Sequence, residues 1–115
     1  MSKEKRKLQR KNLVYYLKVN DKRSGDLLGY LVDITREGIM VVQDTPFLEK
    51  TIFDIELELP ADFAGPRTIS VKVETLWCKR DINPDFYAAG FRLLDVSQFN
   101  QAVIDQLSDT FGLQP

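Results

Sequence analysis

The sequence predicts an all-β domain, a small antiparallel barrel or sandwich, followed by one C-terminal helix. Six short segments rich in strand-forming residues follow one another with turn-like spacers, and no helical pattern interrupts them. After residue 96 the hydrophobic period changes from two to between three and four, as expected for a helix. A chain of 115 residues fits a single domain with a sizeable core.

The predicted strands are six apolar segments separated by polar or turn-forming residues. They cover residues 12–19, 27–34, 39–42, 53–59, a segment from residue 69, and 86–94. In the fourth segment four apolar residues alternate with three acidic ones, which indicates one buried and one solvated face. The alternation of the fifth slips at residues 75–78, which predicts a β-bulge or a stretch buried on both faces.

The tail predicts one helix over residues 97–111, with Ser97 as N-cap and Gly112 just after the C-terminus. Its apolar side chains lie three or four residues apart and predict a stripe that packs over an open end of the barrel. The stripe consists of Phe99, Ala102, Val103, Leu107 and Phe111.

Composition excludes several classes of function. The chain has no histidine, which removes Ser-His-Asp and Cys-His nucleophile systems and histidine-ligated zinc sites. Its single cysteine, Cys78, can form no internal disulfide, and no apolar run reaches the 18 residues that a membrane helix needs. We therefore expect a cytoplasmic protein that is not an enzyme, holds no metal and no cofactor, and does not insert into membranes.

The charges are distributed unevenly along the chain. Residues 1–11 carry six basic side chains against one acidic one, a net +5, so the rest of the chain carries −6 within the overall −1. By itself, such a run is typical of a disordered basic tail with weak affinity for nucleic acid or membranes. We therefore divide the chain into a flexible basic N-terminal arm, residues 1–11, and a single domain, residues 12–115.

A polar turn follows the second predicted strand. It reads Asp-Ile-Thr-Arg-Glu-Gly over residues 33–38. Asp33 and Thr35 suit local hydrogen bonds to backbone N–H groups, and Gly38 suits a positive φ. By itself this pattern indicates no more than a turn.

The basic arm contains an Arg-x-x-x-Arg pattern, formed by Arg6 and Arg10. This pattern too is common in basic tails. However, 22 residues separate Arg10 from Asp33, with two predicted strands between them. A hairpin of that length would return the turn close to the point where the arm joins the barrel.

With these two motifs in this order, the chain resembles the PilZ domain family, whose members bind the bacterial messenger cyclic di-GMP (c-di-GMP). The family pattern is Arg-x-x-x-Arg, about twenty residues, then Asp/Asn-x-Ser-x-x-Gly. It maps onto Arg6, Arg10, Asp33, Thr35 and Gly38, with Thr35 where the family usually has serine. Residues 88–94 also resemble the family's last strand, so the resemblance extends from residue 5 to the final helix.

The resemblance implies a six-stranded antiparallel β-barrel with a C-terminal helix, and a non-catalytic c-di-GMP receptor. Arginine suits guanine O6 and N7 and phosphate oxygens, and a carboxylate such as Asp33 can accept hydrogen bonds from guanine N1–H and N2–H₂. Lys5 and Trp77 are weaker ligand-binding candidates. Lys5 lies where many members carry another basic residue, and Trp77 is either an aromatic that flanks a base or a core tryptophan.

The function expected from this resemblance is a receptor that binds c-di-GMP between the arm and the turn. Ordering of the arm would then relay the signal to a partner protein: motility machinery, polysaccharide machinery or a regulator. The main alternative is a PilZ-like adaptor that acts by protein–protein interaction without c-di-GMP. A barrel that binds nucleic acid through the arm is disfavoured by the acidic domain, so no DNA partner is expected.

Overall fold

The protein is a closed β-barrel with one helix. A computed structural model describes residues 17–111, with side chains through residue 109. The strands are all antiparallel and close in the order β1-β2-β3-β6-β5-β4. The elements are β1 Leu17–Asp21, β2 Leu27–Ile34, β3 Gly38–Gln43, β4 Ile52–Glu58, β5 Thr68–Arg80, β6 Tyr87–Leu94 and α1 Gln98–Phe111. The predicted barrel with a C-terminal helix is confirmed, and the sandwich is not the architecture.

The predicted strand segments correspond to the observed strands. β2 has the predicted bounds, and the ends of β3, β4 and β6 differ from prediction by one residue. Residues 12–16 of the first predicted strand lie outside the described residues, and β1 extends two residues further than expected. The basic arm, with Lys5, Arg6 and Arg10, also lies outside the described residues, so the division into arm and domain stays a prediction.

The barrel interior is filled by alternate residues of the strands. Ile55 and Leu57 of β4, which belong to the clearest period-two pattern of the sequence, are 1% exposed. Phe47, Phe53 and Phe91 meet edge to face, with ring centroids 5.2–6.3 Å apart. Burial of each such side chain contributes about 1.5–3 kcal/mol to stability. This core fixes which side of every strand faces outward.

Helix α1 covers one end of the barrel. It contacts β2 and β5, which lie on opposite sides of the ring, so it must cross an end to reach both. Val103, Ile104 and Leu107 join the same core cluster as the barrel interior. The Ser97 hydroxyl accepts a hydrogen bond from the Asn100 N–H at 3.0 Å, which confirms the predicted N-cap. No helix within residues 17–111 is long and apolar enough to cross a membrane.

The predicted apolar stripe of the helix is wrong at its N-terminal end. Phe99 is 62% exposed and Ala102 is exposed, whereas Ile104 is fully buried. The reason is Asn100, which faces the barrel and donates from its side chain to the Ser70 carbonyl at 2.8 Å. That hydrogen bond sets the rotation of the helix about its axis and turns Phe99 away from the core. The Phe111 side chain and Gly112 lie outside the described part of the chain.

Candidate functional site

The turn between β2 and β3 is held by the side chain of Thr35. The Thr35 N–H donates to the Gly38 carbonyl at 2.9 Å. The Thr35 hydroxyl accepts hydrogen bonds from the N–H groups of Glu37 and Gly38, both at 3.2 Å, and lies 3.3 Å from the Gly38 carbonyl as a donor. The expected local hydrogen bonds are therefore present, and the hydroxyl shapes the turn.

Asp33 presents a carboxylate at the end of β2. Its Oδ1 accepts the Ile34 N–H at 2.9 Å, and its Oδ2 forms no hydrogen bond with any residue in the range 17–111. The side chain is half-buried, and this desolvation raises the pKa of the carboxyl above its ordinary value of 3.8, against the lowering effect of the Ile34 hydrogen bond. Asp33 thus keeps one oxygen available to a donor.

A β-bulge turns Asp33 outward. Leu31 lies opposite Val41 and Asp33 lies opposite Met40, so Val32 is one extra residue in β2. Leu31 and Ile34 are both buried, at 1% and 3% exposure. Strict alternation from Leu31 would have turned Asp33 into the core. The bulge places it on the outer face of the barrel instead.

A second bulge occurs in β5, where the sequence predicts a bulge or two-sided burial. Thr75 lies opposite Phe91 and Trp77 lies opposite Gly90, which leaves Leu76 as the extra residue. Leu76 is 50% exposed and Trp77 is 36% exposed. The bulge is therefore confirmed, and both side chains lie on the outer surface.

The two bulges lie at the two ends of one line of directly opposed residues, which crosses four neighbouring strands. Asp33 lies opposite Met40, Met40 opposite Gly90, and Gly90 opposite Trp77. We call Asp33, Met40, Gly90 and Trp77 the transverse row. Directly opposed residues share a face, so the row runs along the outer surface over three strand spacings, about 14 Å. The structure thus brings Asp33 and Trp77, two of the predicted site residues, to the two ends of one row.

Trp77 covers Gly90. A Cβ added to Gly90 would lie 2.3–2.7 Å from three atoms of the indole, so the ring rests directly on the backbone of β6. On the same side of the barrel, the Lys79 ammonium lies over the ring, 5.3 Å from its centroid. The core-tryptophan interpretation of Trp77 is therefore wrong, and its contact with a base stays a prediction.

Gly38 is required by close packing. It opens β3 opposite Arg92, and a Cβ there would lie 2.4 Å from the Phe91 carbonyl oxygen. The expected positive φ is wrong for this glycine, since within residues 17–111 only Gly25 and Gly29 among the glycines have one. The backbones of Gly38 and β6 thus approach too closely for any side chain at position 38. This close approach holds the turn against β6.

Ion pairs surround the turn and the adjoining β6. Arg92 pairs with Glu74 at 2.8 Å, and Arg36 pairs with Asp105 of α1 at 3.2 Å. Both arginines line an open groove of about 640 Å³ between the turn, β6 and α1, with Leu76 at its edge. These cations are already matched by carboxylates, whereas Lys79 contacts an aromatic ring.

Sequence reasoning found part of this surface. It singled out Asp33, Thr35, Gly38 and Trp77. The structure brings the first three into one turn, and Asp33 and Trp77 are the two ends of the transverse row. It missed Met40, which no motif marks. Lys5, Arg6 and Arg10 lie outside the described residues, so their contacts stay predictions. Within residues 17–111 no cluster of three or more potential metal ligands occurs.

Solved structures of other proteins share this fold. The Bacillus subtilis inhibitor of motility MotI/DgrA matches 80% of this chain at 16% identity with a TM-score of 0.66, and the chain spans 44% of that protein. The PilZ domain of YcgR from Escherichia coli, solved with c-di-GMP, matches 84% of this chain and 80% of its own length, at 15% identity and a TM-score of 0.63. No protein-family model and no curated protein sequence matches the chain. At these identities the similarity establishes the fold.

Proposed function

We propose that this chain, which has the fold of a PilZ domain, is a non-catalytic receptor for c-di-GMP. The observation that carries the proposal is the transverse row, which places a carboxylate with an available oxygen and an exposed indole on one face. The presence of c-di-GMP in the YcgR structure of the same fold supports the choice of ligand. The Arg-x-x-x-Arg motif of the arm supports it further.

Each end of the row suits a different part of a guanine nucleotide. Asp33 can accept hydrogen bonds from guanine N1–H and N2–H₂, which adenine does not present in that arrangement. The exposed indole of Trp77 can stack on the face of a base, as aromatic side chains do in nucleotide-binding proteins. Because Gly90 has no side chain, the indole rests on the backbone of β6, and the ring itself forms the surface at that point. This surface therefore suits a ligand that can present a base edge to Asp33 and a base face to Trp77.

The position of β1 supports a contribution from the arm. β1 begins at Leu17, opposite Leu31, two residues along β2 from Asp33. Leu17 lies seven positions after Arg10, and that length of chain spans up to about 25 Å, more than the length of the row. Arg6 and Arg10 can therefore reach a ligand on the row and bind its guanine O6 and N7 or its phosphates.

Ordering of the arm would convert binding into a signal. Besides Met1, residues 1–11 contain one apolar anchor, Leu8, and they carry five net positive charges, so the sequence favours an unfolded arm without ligand. Fixing each backbone residue costs about 1–2 kcal/mol, which limits the net affinity. The ordered arm and the ligand would form a new surface for a partner protein, in the motility machinery, the polysaccharide machinery or a regulator.

Limited proteolysis tests this switch. Trypsin is expected to cleave the arm of the free protein at Lys5, Arg6, Lys7, Arg10 or Lys11, and saturating c-di-GMP is expected to slow that cleavage strongly. GTP, which lacks the cyclic dinucleotide geometry, is expected to have little effect. Mass spectrometry of timed digests gives the rate at each site, and cleavage at Arg23, in the exposed turn after β1, is the internal control. Equal rates of arm cleavage with and without c-di-GMP would exclude ordering of the arm.

A calorimetric titration separates the candidate functions. The full chain is titrated with c-di-GMP, with GTP and with a random oligonucleotide of matched phosphate concentration. The receptor proposal predicts saturable binding of c-di-GMP alone. No binding of any of the three would leave the adaptor as the function, and preferential binding of the oligonucleotide would indicate a nucleic-acid-binding barrel.

A further inference from the structure

Lys79 is a cation at the end of the transverse row, on the same face as Trp77. The two residues are two positions apart on β5, so their side chains share the outer side of the strand. The Lys79 ammonium lies 5.3 Å from the centroid of the Trp77 ring. Among residues 17–111, Lys79 forms no ion pair with a carboxylate.

The surface between Lys79 and β3 is built from small residues. Lys79 lies opposite Ala88, and Ala88 lies opposite Val42, in the line of residues next to the transverse row. Ala88 and Gly90 lie on the opposite side of β6 from Ala89, which belongs to the core cluster, and both are themselves buried beneath their neighbours, with Ala88 5% exposed. No long side chain of β6 therefore stands between β3 and the pair formed by Lys79 and Trp77.

Two other cations near the row are already engaged. Arg92 is held by Glu74 through two contacts of 2.8 and 2.9 Å. Arg80 donates to the Pro84 carbonyl at 2.8 Å and to the Tyr87 hydroxyl at 3.0 Å. Lys79, whose contact is a solvent-exposed cation–π interaction, can change partner at little cost.

We propose that Lys79 is a phosphate-binding residue of this site, an inference that rests on the proposed c-di-GMP receptor function. A guanine that stacks on the exposed side of the Trp77 ring takes the place of the ammonium. The phosphates of a cyclic dinucleotide are joined to the same nucleotides as its bases, so the displaced ammonium finds an anionic oxygen within reach of its four-carbon stem. The Lys79 ammonium thus lies over the Trp77 ring in the free protein and binds phosphate in the complex.

The variants Lys79→Ala and Lys79→Glu test the inference, with Lys22→Glu as the matched control. Lys22 lies in the turn after β1, beside Asp54 and away from the row, and its substitution changes the net charge equally. Trp77 is the single tryptophan of the chain, so its fluorescence reports c-di-GMP binding directly and calorimetry checks it. Thermal unfolding followed by circular dichroism establishes that each variant is folded.

We expect Lys79→Ala to weaken c-di-GMP binding about five-fold, and Lys79→Glu about twenty-fold because repulsion is added to the lost attraction. The dependence of affinity on salt is expected to flatten in Lys79→Ala, since one charge contact is gone. Lys22→Glu is expected to change the affinity less than two-fold. If the wild type binds and Lys79→Glu behaves like Lys22→Glu, the role of Lys79 is wrong and the receptor proposal stands. If the wild type does not bind c-di-GMP, both fail.

Discussion

Replacing both Arg6 and Arg10 with alanine is expected to cause the largest loss of c-di-GMP affinity that two substitutions in this chain can produce. Each bidentate contact between a guanidinium and a guanine edge is worth about 1–3 kcal/mol, or roughly 5- to 150-fold in affinity. The two contacts belong to one segment, so the losses need not add. Isothermal titration of each single variant and of the double variant measures the effect.

A charge-matched control distinguishes recognition from general attraction. Lys3→Ala combined with Lys7→Ala removes the same two charges from the same arm but leaves the Arg-x-x-x-Arg pattern. We expect this pair to weaken binding modestly and mainly at low salt. All variants should retain the thermal stability of the wild type, because the core that the structure describes is built by residues from Leu17 onward. Near-native affinity in the double arginine variant would overturn the role of Arg6 and Arg10 in binding.

Asp33→Ala is expected to weaken c-di-GMP binding by about 1–3 kcal/mol and to lower the preference for c-di-GMP over cyclic di-AMP. The loss of preference follows because the acceptor for guanine N1–H and N2–H₂ is removed. Asp33→Asn is the sharper variant, since it keeps the shape but directs an NH₂ group or a single carbonyl oxygen toward the base. Competition between the two dinucleotides measures the preference. Wild-type discrimination in both variants would exclude Asp33 as the guanine acceptor.

The raised pKa of Asp33 predicts how the affinity depends on pH. The ionised carboxylate is the form that accepts hydrogen bonds from guanine, and burial makes that form costly in the free protein. Affinity should therefore fall as pH is lowered, beginning above the pH at which an ordinary aspartate with a pKa of 3.8 would lose its charge. Stability changes in the opposite sense for this group, since protonation relieves the buried charge. In Asp33→Asn both contributions should be absent.

The sequence predicted the barrel because most strands alternate inward apolar residues with outward polar ones, and this period of two can be read directly from the sequence. From Phe53 onward β4 alternates apolar and acidic residues, and of the apolar ones Ile55 and Leu57 are buried and Phe53 is half-buried. The slip in β5 revealed its bulge, since Leu76 and Trp77 are adjacent apolar residues that cannot both face inward. In β2, Leu31 and Val32 are also adjacent apolar residues at a bulge. They lie within a longer apolar run, so no break in alternation revealed that bulge.

Other features escaped prediction because they depend on contacts between distant residues. The rotation of α1 is set by Asn100 and the carbonyl of Ser70, thirty residues earlier in the chain. The need for glycine at position 38 comes from the Phe91 carbonyl of β6 rather than from a turn angle. Neither contact produces a periodic pattern of apolar and polar residues in the sequence. The transverse row could not be predicted for the same reason. Its four residues come from four different strands, and only the strand register brings them side by side.

The alignment of the two bulges has a consequence for how this surface can vary between related proteins. Val32 and Leu76 carry no register partner, so substitutions there alter the surface proposed to bind the ligand while the pairing of the barrel is retained. Deleting Val32 would remove the bulge but keep the facing of its neighbours, because Leu31, Asp33 and Ile34 would then alternate inward, outward and inward. Such a deletion would change the local bend and twist that a bulge adds to its strand. Both the side chain and the presence of the extra residue in β2 can therefore vary between related proteins while Asp33 stays on the outer face.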